Sequence, residues 1–549
     1  MKKSALQKAR ASYQPKLPIA LQGPVKVVEG RPTESVADQA AIKALFPNTY
    51  GLPEIRFEKN ATPTPGKPIN VGVILSGGQA PGGHNVICGI FDGIKKIHRD
   101  SRLFGFLMGP SGLVEHKYIE LTAPIIDEYR NTGGFDIIGS GRTKLEKVDQ
   151  FNKGLEILKE LGISALVIIG GDDSNTNAAV LAEYYKANNA GVQVIGCPKT
   201  IDGDLKNGLI ETSFGFDTAT KVYSEVIGNI QRDCNSAKKY WHFIKLMGRS
   251  ASHIALECAL QCQPNICLIS EEIQERDMNL DDIVRYIGDI VISRAAEGNN
   301  FGTVLIPEGL IEFIPEFKRL IGQLNEVLGA NKDKVAGMDE AALTQFIFEN
   351  LDQQNLAALK KLPANVAKQL MLDRDPHGNV QVSLIETEKL LSGLVADYVA
   401  NNADFAAAKG KFSPLHHFFG YEGRCADPSN FDADYCYSLG YNAAALINAG
   451  VTGYMSSIRN LVKPAVQWIP GGIPITMMMN MERRNAEDKP VIQKALVRLD
   501  GAPFLHFAAK RDEWAHNTCY MYPGPIQYFG PAEICDQPTL TLKYEHKDK

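Results

Sequence analysis

The sequence predicts an α/β fold: two doubly wound (Rossmann-like) parallel-sheet domains, with a helical insertion and an N-terminal extension. Three observations carry that expectation. Short apolar runs alternate with segments of helical period, the pattern of parallel strands covered by helices. The runs end in turns rich in glycine and acid, such as Ser76–Asn85 after Val71–Leu75 and Gly170–Thr176 after Ala165–Ile169. The alternation stops near residue 313 and returns after residue 410, and the stretch between is rich in leucine, alanine and lysine.

At 549 residues the chain is too long for one core and implies roughly two to four domains. Its 44% hydrophobic and 22% charged residues place it among globular proteins. A formal net charge of −5 argues against a nucleic-acid partner, because such binders are basic. No apolar run approaches the ~18–20 residues that span a bilayer, so no membrane is expected. Met1-Lys2-Lys3-Ser4 has no apolar stretch behind it, which argues against a secretory leader. Cys258, Cys262 and Cys267 form the only cysteine cluster and read as buried, reduced thiols, which fits a cytoplasmic location.

Residues 1–68 carry prolines and no strong period, and read as an extension with one short helix over 38–45. The core begins at Asn70. Val71–Leu75 reads as a buried strand, Ser76–Asn85 as a glycine-rich loop, and Ile87, Ile90, Phe91, Ile94 and Ile97 recur at helical spacing. Strand, glycine-rich loop and helix form the geometry in which backbone amides hold phosphate. The loop has neither the dinucleotide fingerprint nor a P-loop.

The same unit recurs at 165–185. There Asp172 and Asp173 follow the strand, where open α/β sheets bind ligands. Paired carboxylates at that place suit Mg²⁺, which takes few protein oxygens and several from substrate phosphates. N-capping by Asp173 or Ser174 is the alternative, and it leaves Asp172 unexplained. The turn Gly139-Ser140-Gly141-Arg142 presents an arginine suited to forked phosphate contact.

Val192–Cys197 reads as a third buried strand, broken by Pro198 and Gly203. Asp202 and Asp204 follow two residues apart, flanked by Lys199 and Lys206. A carboxylate beside a lysine suits removal of a hydroxyl proton next to an anionic substrate. A solvated turn is the bland alternative for this stretch taken alone.

A further α/β region opens with a strand at 241–247, the turn Gly248-Arg249-Ser250 and a helix at 251–261. Strands at 265–270 and 302–306 continue it, and Glu308 ends the second of these. Residues 313–410 read as a helical insertion, with a short strand at Val380–Ser383. Phe418–Cys425 sets aromatic residues beside Arg424. A helix over 434–449 and a strand over 453–458 return to the α/β style. Met477–Met479 and Met481 read as core filler. His416 and His417 have no cysteine or third histidine near in sequence and are not expected to hold metal.

In combination, Ser76-Gly-Gly-Gln-Ala-Pro-Gly, Gly170-Gly-Asp-Asp-Ser, Pro198-Lys-Thr-Ile-Asp-Gly-Asp, Met247-Gly-Arg and Tyr421-Glu-Gly-Arg resemble the phosphofructokinase family, most closely its long pyrophosphate-dependent branch. The resemblance runs from about Val71 to Ile458. It implies reversible phosphoryl transfer from pyrophosphate to the C1 hydroxyl of fructose 6-phosphate in glycolysis and gluconeogenesis, with Mg²⁺. It implies a donor domain over 69–215, completed by about 426–490, and a sugar-phosphate domain over 216–312 and 411–425. Residues 491–549 remain as a C-terminal extension.

The resemblance also implies roles. Gly78 contacts the donor through its backbone, and Asp172 holds Mg²⁺. Thr200, Ile201, Asp202, Met247, Gly248, Arg249, Glu308, Tyr421, Glu422, Gly423 and Arg424 surround fructose 6-phosphate, with Asp202 as the base and Asp204 beside it. Lys239 and Tyr240 match positions that reach a neighbouring subunit's sugar phosphate, which implies a homodimer with shared sites. ATP-using relatives place glycine where this chain has Asp173 and Lys199, so these two residues are expected to exclude ATP. The rival readings are an ATP-dependent kinase of this or a related family and a non-catalytic regulatory subunit. Asp172, Asp202 and Asp204 are all present, which disfavours the last.

Overall fold

The structure, a computed structural model, describes residues 3–60, 66–335, 337–372, 384–484, 487–518, 520–526, 533 and 536–547. Two units divide the chain. The first comprises Met1–Val222, Tyr421–Ala495 and Ile526–Lys549, and the second Tyr223–Gly420 and Leu496–Pro525.

The first unit is built on a mixed sheet. The strands Arg102–Phe106, Asn70–Leu75, Ala165–Gly170, Gln193–Thr200 and Tyr454–Arg459 lie side by side and parallel, in that order. The buried strands are continuously apolar, as strands covered on both faces must be. The chain leaves Asn70–Leu75 towards one edge and returns on its other side at Ala165–Gly170. That reversal is a topological switch point, where the strand ends splay and leave a crevice.

Helix Gly83–Ile97 packs closely on helix Asn430–Asn448. A β-carbon at Gly440 would lie 1.9 Å from the Val86 carbonyl oxygen, so only glycine permits this approach. The expected helix at 38–45 is Gln39–Leu45. The extension also holds two strands that its weak period concealed. Val25–Pro32 and Pro53–Lys59 pair antiparallel and add to the sheet through Ile469–Pro474. Strand Gln193–Thr200 runs through Pro198 to Thr200, so the proline does not break it. Pro198 sits near the strand end, where a lost ladder bond costs little, and Lys199 is thereby carried into the sheet.

The second unit is built on a four-stranded parallel sheet in the order Ile266–Cys267, Gly302–Pro307, Trp241–Leu246, Pro414–Phe419. The helices of residues 315–407 join the same core. Leu320, Ile347, Leu359 and Leu391 pack in one apolar cluster with Trp241, Phe243 and Val304. The expected strand at Val380–Ser383 lies outside the described residues. Among the described residues no helix is long and apolar enough to cross a membrane.

Candidate active site

The chemistry-bearing loops of the first unit gather at its switch point. The Ser76 N–H donates to the Ile169 carbonyl at 2.9 Å, and the Ser174 hydroxyl donates to the Ser76 hydroxyl oxygen at 2.8 Å. The Gly77 N–H donates to the Gly141 carbonyl at 2.9 Å, which ties the loop after the first strand to the turn that carries Arg142. Buried Asn175 donates to the carbonyls of Gly170, Gly171 and Cys197, and so fixes the ends of two neighbouring strands together.

Gly77, Gly78, Gln79, Ser140, Gly141, Arg142, Tyr421 and Arg424 line a cavity of about 220 Å³. Arg424 Nε donates to the Gln79 carbonyl at 3.1 Å, and its guanidinium stands 5.5 Å from the centre of the Tyr421 ring. These contacts place Tyr421–Arg424 in the first unit, whereas the family resemblance groups 411–425 with the second sheet. Within that helical turn Gly423 is buried and Glu422 exposed.

Gly171 precedes helix Asp172–Ala187, so Asp172 and Asp173 occupy its first turn, where the helix dipole favours carboxylates. The two carboxylates face different neighbours. Successive helical residues point in different directions, and each carboxylate has its own lysine. Asp172 Oδ2 lies 3.6 Å from Lys494 Nζ, and Asp173 Oδ1 lies 3.3 Å from Lys144 Nζ. Neither Lys144 nor Lys494 stood out in the sequence. Lys144 follows the Arg142 turn by two residues, which is a local signal. Lys494 has none, because only the folded hairpin Met479–Ile492 delivers it.

The turn after strand Gln193–Thr200 holds the proposed acids. The Asp202 N–H donates to Thr200 Oγ1 at 3.1 Å, and Gly203 takes a φ of +74°. Ile201 is buried and anchors the turn. Asp202 is half-buried, whereas Asp204 is buried. Burial, reinforced by Asp202 and Asp172 and opposed by Lys494, pushes the Asp204 carboxyl up to about 7. Lys199 is buried, and burial together with Arg424 lowers its ammonium to about 7, against the pull of Asp202 and Asp172. Asp172, Lys199, Asp202, Asp204 and the arginines thus form one electrostatic cluster. Among the described residues no three histidine, cysteine or carboxylate side chains form a metal cage. A hard cation held by one or two carboxylates and by phosphate oxygens is the mode this donor set fits.

In the second unit, Met247, Gly248 and Arg249 follow strand Trp241–Leu246, and Glu308 follows strand Gly302–Pro307. The Gly248 N–H donates to Glu308 Oε2 at 3.1 Å, with Gly248 at a φ of +117° that glycine adopts freely. The structure therefore brings these motif residues together. Lys239 and Tyr240 stand at the opposite end of the same strand, with Lys239 Nζ 5.0 Å from the Tyr240 ring centre. His417 Nε2 lies 2.9 Å from His242 Nδ1, and His416 Nε2 lies 2.7 Å from the Ser392 hydroxyl.

The sequence profile of the phosphofructokinase family matches residues 70–447. The chain belongs to the phosphofructokinase family. Over all 549 residues it is 64% identical to a Porphyromonas gingivalis protein named pyrophosphate–fructose 6-phosphate 1-phosphotransferase, with 100% of each chain covered. A protein of the same name from Entamoeba histolytica is 53% identical over 548 residues, covering 99% of this chain and 100% of that one. Among solved structures, a pyrophosphate-dependent phosphofructokinase from Nitrosospira multiformis aligns with a TM-score of 0.51 at 16% identity, over 74% of this chain and 84% of that one. That last likeness bears on the fold alone and agrees with the α/β architecture of this phosphofructokinase family member, a mixed sheet with a parallel centre in the first unit and a parallel sheet in the second.

Proposed function

We propose that the protein transfers a phosphoryl group from pyrophosphate to the C1 hydroxyl of fructose 6-phosphate, reversibly, giving fructose 1,6-bisphosphate and phosphate. The observation that carries the reading is the switch-point cavity: small, lined by Arg142 and Arg424, and set beside buried Lys199. Its volume of about 220 Å³ falls below the ~300–1,000 Å³ of pockets for larger organic ligands, and its cationic lining suits a compact polyanion. The full-length relatives named for this reaction support the same assignment.

Phosphoryl transfer depends on positioning and charge neutralisation more than on covalent help. Arg142, Lys199 and the backbone at Gly78 bind and orient the diphosphate. Asp172 holds Mg²⁺, which when bound supplies charge neutralisation on the phosphate oxygens. Asp202 accepts the proton of the C1 hydroxyl as that oxygen attacks phosphorus and the bond to the departing phosphate breaks. In the reverse direction Asp202 returns the proton. Thr200, Ile201, Met247, Gly248, Arg249, Glu308, Tyr421, Glu422, Gly423 and Arg424 are the residues assigned to fructose 6-phosphate. Asp173 excludes the nucleoside end of ATP, and Lys239 and Tyr240 serve a second copy of the chain in a homodimer. The cytoplasm, where thiols such as Cys258, Cys262 and Cys267 stay reduced, is the assigned compartment.

The test is a product assay on the purified protein with fructose 6-phosphate and Mg²⁺, supplied with either pyrophosphate or ATP. Fructose 1,6-bisphosphate should form with pyrophosphate and barely with ATP. Equal rates with the two donors would transfer the assignment to an ATP-tolerant kinase, and no product with either would leave a binding subunit.

A further inference from the structure

The hairpin of strands Met479–Arg484 and Glu487–Ile492 delivers a lysine to the acid cluster. The Ile492 N–H donates to Thr176 Oγ1 at 3.1 Å, on the helix that begins with Asp172. The Gln493 N–H donates to the Met478 carbonyl at 2.8 Å, and the Ala495 N–H donates to the Asp204 carbonyl at 2.7 Å. Residues 492–495 are thus tied on one side to the metal-site helix and on the other to the turn of Asp202 and Asp204. Between these ties Lys494 Nζ lies 3.6 Å from Asp172 Oδ2, and its charge also acts on Asp204. Both side chains of the pair are about one-quarter exposed, at 27% and 24%, so the ammonium can leave without the fold opening.

A carboxylate that serves a divalent cation has no such cation near it before the metal arrives. Here the neighbouring acids, Asp202 and Asp204, raise the cost of leaving Asp172 uncompensated. An ammonium and a metal ion cannot both hold the same carboxylate oxygen closely. From this geometry we infer that Lys494 is a place-holder for the divalent cation at Asp172. It neutralises the acid cluster in the metal-free enzyme, is displaced when Mg²⁺ binds, and then presents its charge to the diphosphate. The exchange couples the two ligands. Metal binding alone strands an ammonium beside a cation, whereas metal with diphosphate gives the ammonium an anion. Lys494 is accordingly a positioning residue that makes metal affinity depend on the donor. The inference rests on the reading of Asp172 as the metal ligand.

The experiment titrates the full-length protein with Mn²⁺ alone, following free Mn²⁺ by its electron paramagnetic resonance signal. Wild type, Lys494→Met, Lys494→Arg and Asp172→Asn are compared, with thermal unfolding to confirm that each is folded and Lys494→Gln held as a second neutral variant. Removal of a partly exposed cation should tighten Mn²⁺ binding by up to about fivefold in Lys494→Met, and Lys494→Arg should bind as wild type. At saturating Mg²⁺ the KM for pyrophosphate should rise in Lys494→Met while the KM for fructose 6-phosphate holds. Asp172→Asn should abolish Mn²⁺ binding and erase the gain of Lys494→Met in the double variant. If Asp172→Asn binds Mn²⁺ like wild type, the metal-ligand reading fails. If Asp172→Asn loses Mn²⁺ while the neutral variants bind it no more tightly than wild type, the place-holder inference fails on its own.

Discussion

Gly78 lies against the guanidinium of Arg424: a β-carbon at position 78 would stand 1.5 Å from Nη2 and 2.8 Å from Cζ. The absence of a side chain at 78 thus sets where this arginine rests over the glycine-rich loop. The same loop end is held from below, since the Gly77 N–H is spent on Gly141.

Gly78→Ala should therefore displace the Arg424 guanidinium. Misplacement of a binding group by about 1 Å can cost ~10²-fold in rate, and a loss of that order in kcat/KM is expected for fructose 6-phosphate, to which Arg424 is assigned, with a loss for pyrophosphate wherever the Gly78 backbone moves as well. Circular dichroism and the thermal midpoint should change little, because the loop is at the surface of a cavity. Steady-state kinetics equal to wild type for both substrates would show that the Arg424 position does not matter to the reaction.

Asp173 governs donor choice in the proposed function. It stands in the first turn of helix Asp172–Ala187 with Lys144 at 3.3 Å. Like charges brought together cost several kcal/mol, so Asp173→Gly should raise kcat/KM for ATP by at least about tenfold. Lys144→Met, which leaves the carboxylate in place, should not. A ratio of ATP to pyrophosphate use unchanged by Asp173→Gly would remove Asp173 from specificity.

Much of this site was legible because its motifs are local. Each of these loops directly follows a strand, so local pattern alone marks the turns that carry Gly78, Asp172 and Asp202 as candidates, and the family resemblance supplies the roles proposed for them. The helix at 430–448 and the strand at 302–307 also follow from local pattern. What was not legible depends on distant pairing. The strands Val25–Pro32 and Pro53–Lys59 form because a sheet edge at Ile469–Pro474 accepts them, and their own pattern is half-exposed and weak. Lys494 reaches Asp172 across 322 positions through a hairpin whose alternation carries no hint of chemistry. Pro198 misled because a proline near a strand's end is tolerated where one inside it is not.

Asp202 should behave as the base. Asp202→Asn removes the proton acceptor while keeping the size of the side chain. Loss of a general base costs roughly 10²–10⁴-fold, and it should fall on kcat more than on the KM for fructose 6-phosphate, because the proton moves in the transition state. A change of only a few-fold would pass the role to Asp204, whose raised carboxyl sits near neutrality.

Lys199 should set a pH dependence for donor binding in the proposed function. Its ammonium is lowered to about 7 by burial and by Arg424. The charged form is the one that attracts a polyanion, so diphosphate binding should draw a proton onto Lys199. Affinity then falls as pH rises through about 7, by up to about tenfold per unit for one linked proton. Lys199→Arg, charged throughout, should flatten the profile at high affinity, and Lys199→Met should flatten it at low affinity. Pyrophosphate ionises over part of the same range, so the comparison of wild type with the two variants, measured from pH 6.5 to 9, is the decisive readout. Parallel profiles in all three would exclude Lys199 as the titrating group.

The strand Trp241–Leu246 separates two groups assigned to one substrate. Lys239 and Tyr240 precede it, and Met247, Gly248 and Arg249 follow it. Six residues of strand span roughly 20 Å at ~3.3 Å each, farther than a lysine side chain reaches. If Arg249 binds the sugar phosphate as proposed, Lys239 and Tyr240 cannot serve that same site, whereas a two-fold interface would carry them to a partner's. A homodimer with two shared sites is the expected minimal active unit. Mixing an Asp202→Asn chain with a Lys239→Ala, Tyr240→Ala chain tests this, each variant being inactive alone. In a heterodimer, the site with the intact base receives intact Lys239 and Tyr240 from its partner, and the other site lacks both. One working site per heterodimer should appear after subunits are dissociated and reassociated. Heterodimers demonstrated by differential tagging that show no activity, or full activity in isolated monomers, would refute the shared site.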